Sequence, residues 1–173
     1  MSGPARILGE LEGVFARLGP APLEALARRI DAASRVVCAG QGRSGLVAAA
    51  FAVRLGHLGV DAYVAGEPSQ PPVGRGDLLV AFSRSGATVV TCHQAERARA
   101  AGAGVAVITA RADGPLAVDA DPLVVLPAAE SRQHAGSLFE QAALIATDAL
   151  AAAVQASRGL SDDALAARHD NLQ

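Results

Sequence analysis

Lysine is absent from this chain: all 15 basic side chains are arginine. That absence excludes a Schiff-base lysine, and with it lysine-dependent aldolases and pyridoxal enzymes. It equally excludes the lysine of a P-loop. Tryptophan is missing too, and four Phe and one Tyr are the only aromatics, so small aliphatic side chains have to fill the core. The two cysteines, Cys38 and Cys92, make neither a disulfide framework nor a metal spacing. Cys38 lies inside an apolar run and reads as a small core residue. The four histidines are not spaced as a metal set, so neither a metal nor another cofactor is expected. A net charge of −2 gives no electrostatic case for nucleic acid. No apolar run approaches membrane-spanning length. The start, Met1-Ser2-Gly3-Pro4-Ala5-Arg6, has no basic segment followed by an apolar core. The expectation is a cytoplasmic protein with no signal peptide, no membrane and no nucleic-acid partner.

What the chain does have is apolar bulk. Of its 173 residues, 51% are hydrophobic, led by Ala and Val, which suits one domain with a real core. Helical spacing of Ile7, Leu8, Leu11, Val14, Phe15 and Leu18 predicts a first helix, stopped by Gly19-Pro20. A second helix is predicted from Pro22 to Ser34. Residues 1–34 thus form a helical arm, suited to packing on another subunit. Residues 35–157 form an α/β core, and residues 158–173 a short C-terminal helix and tail. In the core, apolar strands at Arg35–Ala39, Val60–Val64, Leu78–Phe82, Gly104–Thr109 and Leu123–Leu126 alternate with helices that begin near Ser44, Thr88 and Ser137. Pro115-Leu116-Ala117 reads as one helical turn. This alternation implies βαβ units, a parallel sheet and helices on both faces. The expected fold is a doubly wound α/β sandwich of three layers, with five strands in the order 2-1-3-4-5.

The chain is organised around one stretch of this pattern. The buried strand Leu78–Phe82 turns abruptly into Ser83-Arg84-Ser85-Gly86-Ala87-Thr88 and then a helix. In an open parallel sheet such a turn lies at the carboxyl edge of the strands, where ligands bind. Ser83, Ser85 and Thr88 offer three hydroxyls, Gly86 lets the backbone come close, and the helix start offers amide N–H groups. That combination suits a phosphate; it also fits a plain strand-to-helix turn with a Ser cap. A second turn of similar kind, Gly42-Arg43-Ser44, leaves the first strand. In the order 2-1-3-4-5 these two strands are neighbours at the switch point, so both turns face one ligand. Arg43 can add a charge-assisted contact to it, or point into solvent. Gly40-Gln41-Gly42 also has the look of a dinucleotide turn. The acidic partner that motif needs has a match only in Glu67, in a loop running into Pro68, so a dinucleotide is the weaker alternative.

These residues resemble the sugar isomerase (SIS) domain family, whose mark is a Ser-x-Ser-Gly-x-Thr/Ser loop after a buried strand. The resemblance narrows to the 6-phospho-3-hexuloisomerases. It is carried by Gly42-Arg43-Ser44-Gly45-Leu46, Arg54-Leu55-Gly56-His57-Leu58-Gly59, Tyr63-Val64-Ala65-Gly66-Glu67, Gln133 with Gly136-Ser137-Leu138-Phe139-Glu140-Gln141, and His169-Asp170-Asn171-Leu172. The chain departs from the family in its loop, where Ser-Gly-Ser-Gly-Glu-Thr is usual: Arg84 replaces a Gly and Ala87 the Glu. His134-Ala135 stands where relatives carry Pro-Met. The resemblance implies a flavodoxin-like fold and a metal-free interconversion of arabino-3-hexulose 6-phosphate and fructose 6-phosphate. It further implies a place in formaldehyde fixation through ribulose monophosphate or in pentose supply, and a homotetramer whose sites take residues from neighbouring subunits.

Moving a carbonyl from C3 to C2 needs a proton taken from C2 and delivered to C3 through a cis-enediol, and one carboxylate can do both. The resemblance points to Glu140. Ser137 and Glu140 also have the spacing of a capping box, so the same Glu has a structural explanation. The resemblance makes His57 the shuttle between the sugar oxygens, a task within reach of an imidazole; a helix-ending His is also favoured by the dipole alone. Gly42, Arg43, Ser44, Ser83, Ser85, Gly86, Thr88, Glu67 and His169 complete the expected binding set. The rival functions are another phosphosugar isomerase, such as one for arabinose 5-phosphate, and a SIS module that only binds a sugar phosphate, as in transcriptional regulators. A catalytically dead assembly subunit is a third.

Overall fold

The computed structural model describes residues 3–168. Five strands form one sheet in the order β2-β1-β3-β4-β5: β1 (Val36–Gly40), β2 (Ala62–Val64), β3 (Leu78–Ser83), β4 (Gly104–Thr109) and β5 (Leu123–Val125). Every pairing is parallel. The expected order is the observed one. Register aligns Gly40 with Phe82 and Ser83 with Thr109, so the ends of β1, β3 and β4 form one edge.

Both faces are covered, unequally. Along β1, β3 and β4 alternate side chains point to opposite sides. Val36, Cys38, Val80, Phe82, Ala106 and Ile108 join the larger core cluster. This cluster packs under α1 (Gly3–Phe15), α2 (Ala21–Ala32), α3 (Gly42–His57) and α5 (Ser137–Ser157). Val37, Ala39, Leu79, Ala81, Val105 and Val107 form a smaller cluster under α4 (Val89–Ala100), with Leu116 of a single helical turn, Pro115–Ala117. The short α6 (Asp162–Ala166) follows α5. Small aliphatics make up most of the core, but Phe51, Phe82 and Phe139 are fully buried in it, and Phe51 of α3 meets Phe82 of β3 edge to face, 6.2 Å between ring centres. Cys38 is wholly buried, and burial pushes its thiol up to about 12, as suits an inert core residue.

Two expectations need correction. The N-terminal helices, expected to form an arm suited to packing on another subunit, join the core of their own chain. Leu11, Val14, Leu26 and Ile30 are buried in the larger cluster, because α1 and α2 lay their apolar stripes on α5 of the same chain. And α5 is, by length and composition, long and apolar enough to cross a membrane. Its apolar content is explained by position, since nine of its residues, Leu138 to Val154, are buried between the sheet, α3 and the N-terminal helices.

Candidate functional site at the switch point

The carboxyl edge of β1 and β3 gathers most of the expected site. β1 passes into α3 without a loop, correcting the helix start from Ser44 to Gly42. The close approach explains this: a Cβ on Gly45 would stand 2.8 Å from the Gly40 carbonyl oxygen, and one on Gly40 would stand 2.9 Å from that of Ser44. Of the glycines that looked like part of a dinucleotide turn, Gly40 serves this strand–helix contact together with Gly45, and Gly42 opens the helix at φ +55°. Gln41 occupies the N-cap without a side-chain cap, so Gly42, Arg43 and Ser44 form an uncapped first turn.

The Ser83–Thr88 turn is braced from within. Ser83 is 1% exposed, and its Oγ lies 2.9 Å from Thr88 Oγ1. The Gly86 amide donates to the Ser83 carbonyl at 3.1 Å. Gly86 has φ +65°, and a Cβ there would stand 3.2 Å from Thr109 Oγ1. Ser85 is exposed and accepts the Ala87 amide at 3.2 Å. Thr88 is the N-cap of α4 but makes no side-chain cap. The amides of the first turn of α4, which have no partner within the helix, therefore open onto the edge that presents Ser85.

Glu140 lies in the first turn of α5, on the same side. The expected capping box is absent. Gly136 is the N-cap, in the left-handed region, and Ser137 is the first helical residue. The Ser137 hydroxyl donates to the His134 carbonyl at 2.7 Å. The Glu140 carboxylate instead pairs with the Arg43 guanidinium across the α3–α5 junction. The carboxylate side chain is 13% exposed and the Arg43 side chain 65%. Arg43, expected on the ligand or in solvent, is paired here with the carboxylate. Beside the pair a groove of about 270 Å³ runs between the helices, lined by Leu46, Val47, Gln141 and Leu144.

Three expected residues stand apart. His57 ends α3, so at about 1.5 Å per residue it lies roughly 21 Å along the helix from Arg43. One chain does not bring His57 to Glu140, because α3 carries Arg43 and His57 to opposite edges of the sheet. Glu67 follows β2 in an exposed turn, its amide donating to the Val64 carbonyl at 3.2 Å. His169 lies outside the described residues. Among the described residues, no three His, Cys, Asp or Glu side chains are grouped so as to hold a metal ion.

Two side chains make contacts that the sequence does not foretell. Glu10 of α1 accepts hydrogen bonds from Ser131 Oγ (2.6 Å), the Arg132 amide (3.1 Å) and Gln133 Nε2 (3.0 Å). The Ser131 and Gln133 bonds hold its carboxyl below the usual range. This latches the segment that leads into α5 and Glu140. Arg84 sends Nη2 to the Ala129 carbonyl at 2.9 Å, tying the hydroxyl turn to that segment. Partners 45 and more than 120 residues apart leave no local pattern. In the sequence, Gln133 stands out through the resemblance and Arg84 through its departure from the family loop, while Glu10 carries no signal.

A parallel sheet with a hydroxyl turn and a guanidinium-held carboxylate at its switch point defines a doubly wound α/β protein of the sugar isomerase type. The chain belongs to the SIS domain family, whose model matches residues 30–153. It is 40% identical over 172 residues to a protein named 3-hexulose-6-phosphate isomerase from Mycobacterium gastri, covering 95% of this chain and 86% of that one. It is 33% identical over 178 residues to a protein of the same name from Bacillus subtilis, covering 98% and 96%. Among solved structures it matches a hypothetical protein from Methanococcus jannaschii with a TM-score of 0.87 at 30% identity, covering 98% of this chain and 96% of that one. The crystal structure of that protein was taken to infer a molecular function of 3-hexulose-6-phosphate isomerase.

Proposed function

We propose that the protein is a 6-phospho-3-hexuloisomerase, interconverting arabino-3-hexulose 6-phosphate and fructose 6-phosphate. The observation that carries this is the Glu140 carboxylate, paired to Arg43 on the edge that also presents the Ser83–Thr88 turn, in a chain whose relatives carry that activity in their names. The Ser85 hydroxyl and the first-turn amides of α4 take the phosphate, with Ser44 assisting; Ser83, Gly86 and Thr88 shape that cradle. Glu140 removes the C2 proton, the electron pair forms the enediol as the C3 carbonyl becomes a hydroxyl, and the same carboxyl returns a proton to C3 as the C2 oxygen becomes the carbonyl. The oxygens exchange a proton through His57, supplied by a neighbouring copy of the chain. Apolar side chains support such an assembly: Leu46 (71% exposed) and Val53 lie outward on α3, and Leu144 and Ile145 on α5, a pattern that suits burial between subunits. A homotetramer, a cytoplasmic setting and a place in formaldehyde fixation through ribulose monophosphate belong to the same proposal and rest on the family resemblance; Glu67 and His169 remain its candidate sugar contacts.

The test is isotope exchange. Wild type incubated with fructose 6-phosphate in deuterated water incorporates deuterium at the exchanging carbon and forms the 3-hexulose. Glu140→Gln lowers the rate by about 10²–10⁴-fold with binding retained. Exchange in Glu140→Gln at the wild-type rate defeats the base assignment, and none in a phosphosugar-binding wild type defeats the enzyme.

A further inference from the structure

We propose that Arg84 is a positioning residue for the isomerisation: its side chain is the spacer that fixes how far the hydroxyl turn stands from the helix start carrying the base. The inference rests on the function proposed above.

Contacts of its backbone carbonyl and at two places along its side chain carry it. At its root, the Arg84 carbonyl accepts the Ala110 amide at 3.2 Å and Thr109 Oγ1 at 3.4 Å. Thr109 is fully buried at the end of β4, so the root is fixed to the sheet. At its tip, Nη2 donates to the Ala129 carbonyl at 2.9 Å. Between them the aliphatic stem crosses Gly136, where a Cβ would stand 2.7 Å from Arg84 Cδ and 3.2 Å from Nε. Any side chain at 136 would displace the arginine. Gly136 also has φ +88°, a conformation that favours glycine, so one residue meets both demands.

Gly136 is in turn the residue on which α5 starts. Its carbonyl accepts the Phe139 amide at 3.0 Å and the Glu140 amide at 3.5 Å. A short chain of contacts therefore runs from the hydroxyl turn through the Arg84 stem to Gly136 and on to Glu140. A substrate gripped by its phosphate at the turn presents its reacting carbons at a set distance. The base must lie within hydrogen-bond reach of them, and a misplacement of about 1 Å costs on the order of 10²-fold in rate. Arg84 is exposed and charged, and a direct contact with phosphate is the competing assignment. Against it, the stem is laid over Gly136 and the tip bonded to Ala129, which spends the side chain on spanning the two segments.

Two variants separate these roles. Arg84→Ala removes the spacer; Arg84→Met keeps most of the stem and no charge. The expected result for Arg84→Ala is a kcat lowered by about 10–100-fold with KM changed by less than about threefold. Arg84→Met recovers part of that loss, because it keeps the stem over Gly136 and lacks the donor to Ala129. A KM raised about tenfold or more in both variants with kcat intact assigns Arg84 to the phosphate and overturns the proposal, as does an unchanged kcat in Arg84→Ala. Amide hydrogen exchange supplies a readout free of the reaction. In Arg84→Ala the amides of Ser137, Phe139 and Glu140 exchange about tenfold faster while those of α3 do not change. Unaltered exchange at these three overturns the positioning role even in a confirmed isomerase. A wild type without isomerase activity defeats the proposed function, and exchange then decides on its own whether Arg84 sets the start of α5.

Discussion

Ser83 and Ser85 are two residues apart, and the turn gives them different tasks. Ser83 is buried against Thr88, so its hydroxyl holds the turn's shape. Ser85 is exposed, and in the proposed function its hydroxyl takes the phosphate. Ser85→Ala therefore raises KM for the phosphosugar by about tenfold, the loss of one hydrogen bond to a charged group, with kcat nearly kept. Ser83→Ala leaves Thr88 without its partner and lowers unfolding free energy by about 1–2 kcal/mol in urea titration. Equal effects of the two changes on KM would refute this division. Glu140 belongs to the same scale. A helix-start glutamate ordinarily bends back to its own N-terminus; here the left-handed Gly136 occupies the cap and Arg43 takes the carboxylate.

Among the elements, α1 does more than cover the core. Glu10 reaches the segment 131–133, which is more than 120 residues away in sequence and leads into α5. Its carboxyl, held low by the Ser131 and Gln133 bonds, stays charged, and the latch closed, through neutral pH and into the ordinary carboxylate range. It releases as pH falls through the lowered value. Glu10→Ala speeds tryptic cleavage after Arg132 by about tenfold at neutral pH, and cleavage at the wild-type rate would show that the latch does not hold the segment. At α3 the tight Gly40–Gly45 contact turns strand into helix at once. It is this contact that points Arg43 at α5.

The whole molecule separates the ends of α3, and this bears on assembly. His57 and Glu140 act in one site only if two chains meet. Glu140→Gln and His57→Ala, each nearly inactive alone, regain about a quarter of wild-type activity when co-assembled in equal amounts, since some sites then draw both native residues from different chains. No recovery in mixed oligomers would place His57 outside the reaction. At the edge opposite the site, Arg35 binds Asp77 with two hydrogen bonds, 3.0 and 2.8 Å, tying the starts of β1 and β3. Burial works against the Asp77 charge, but the Arg35 bond, the Gly74 amide and the Arg35 charge outweigh it and hold the carboxyl below its ordinary range. A depressed carboxyl stabilises the fold above its unfolded value and loses that stabilisation as pH falls through the folded one. Asp77→Asn thus costs about 2–3 kcal/mol at pH 7, somewhat under a fully buried pair. The loss shrinks as thermal melts are taken into acid, and a constant deficit down to acid pH would remove the ion pair as its cause.

Local pattern determined much of this protein. Alternating apolar strands and amphipathic helices set the element order and the parallel sheet, because period and turn chemistry are short-range properties. The apolar run Leu78–Phe82 and the hydroxyls from Ser83 onward marked the candidate ligand edge for the same reason. The tertiary structure alone decided which partners the side chains found. It sent Glu140 to Arg43 rather than to its own helix end, laid α1 and α2 on α5, and brought Glu10 and Arg84 onto the segment before Gly136. These contacts join residues far apart in sequence, and their geometry follows from how helices stack on the sheet. No spacing along the chain records it.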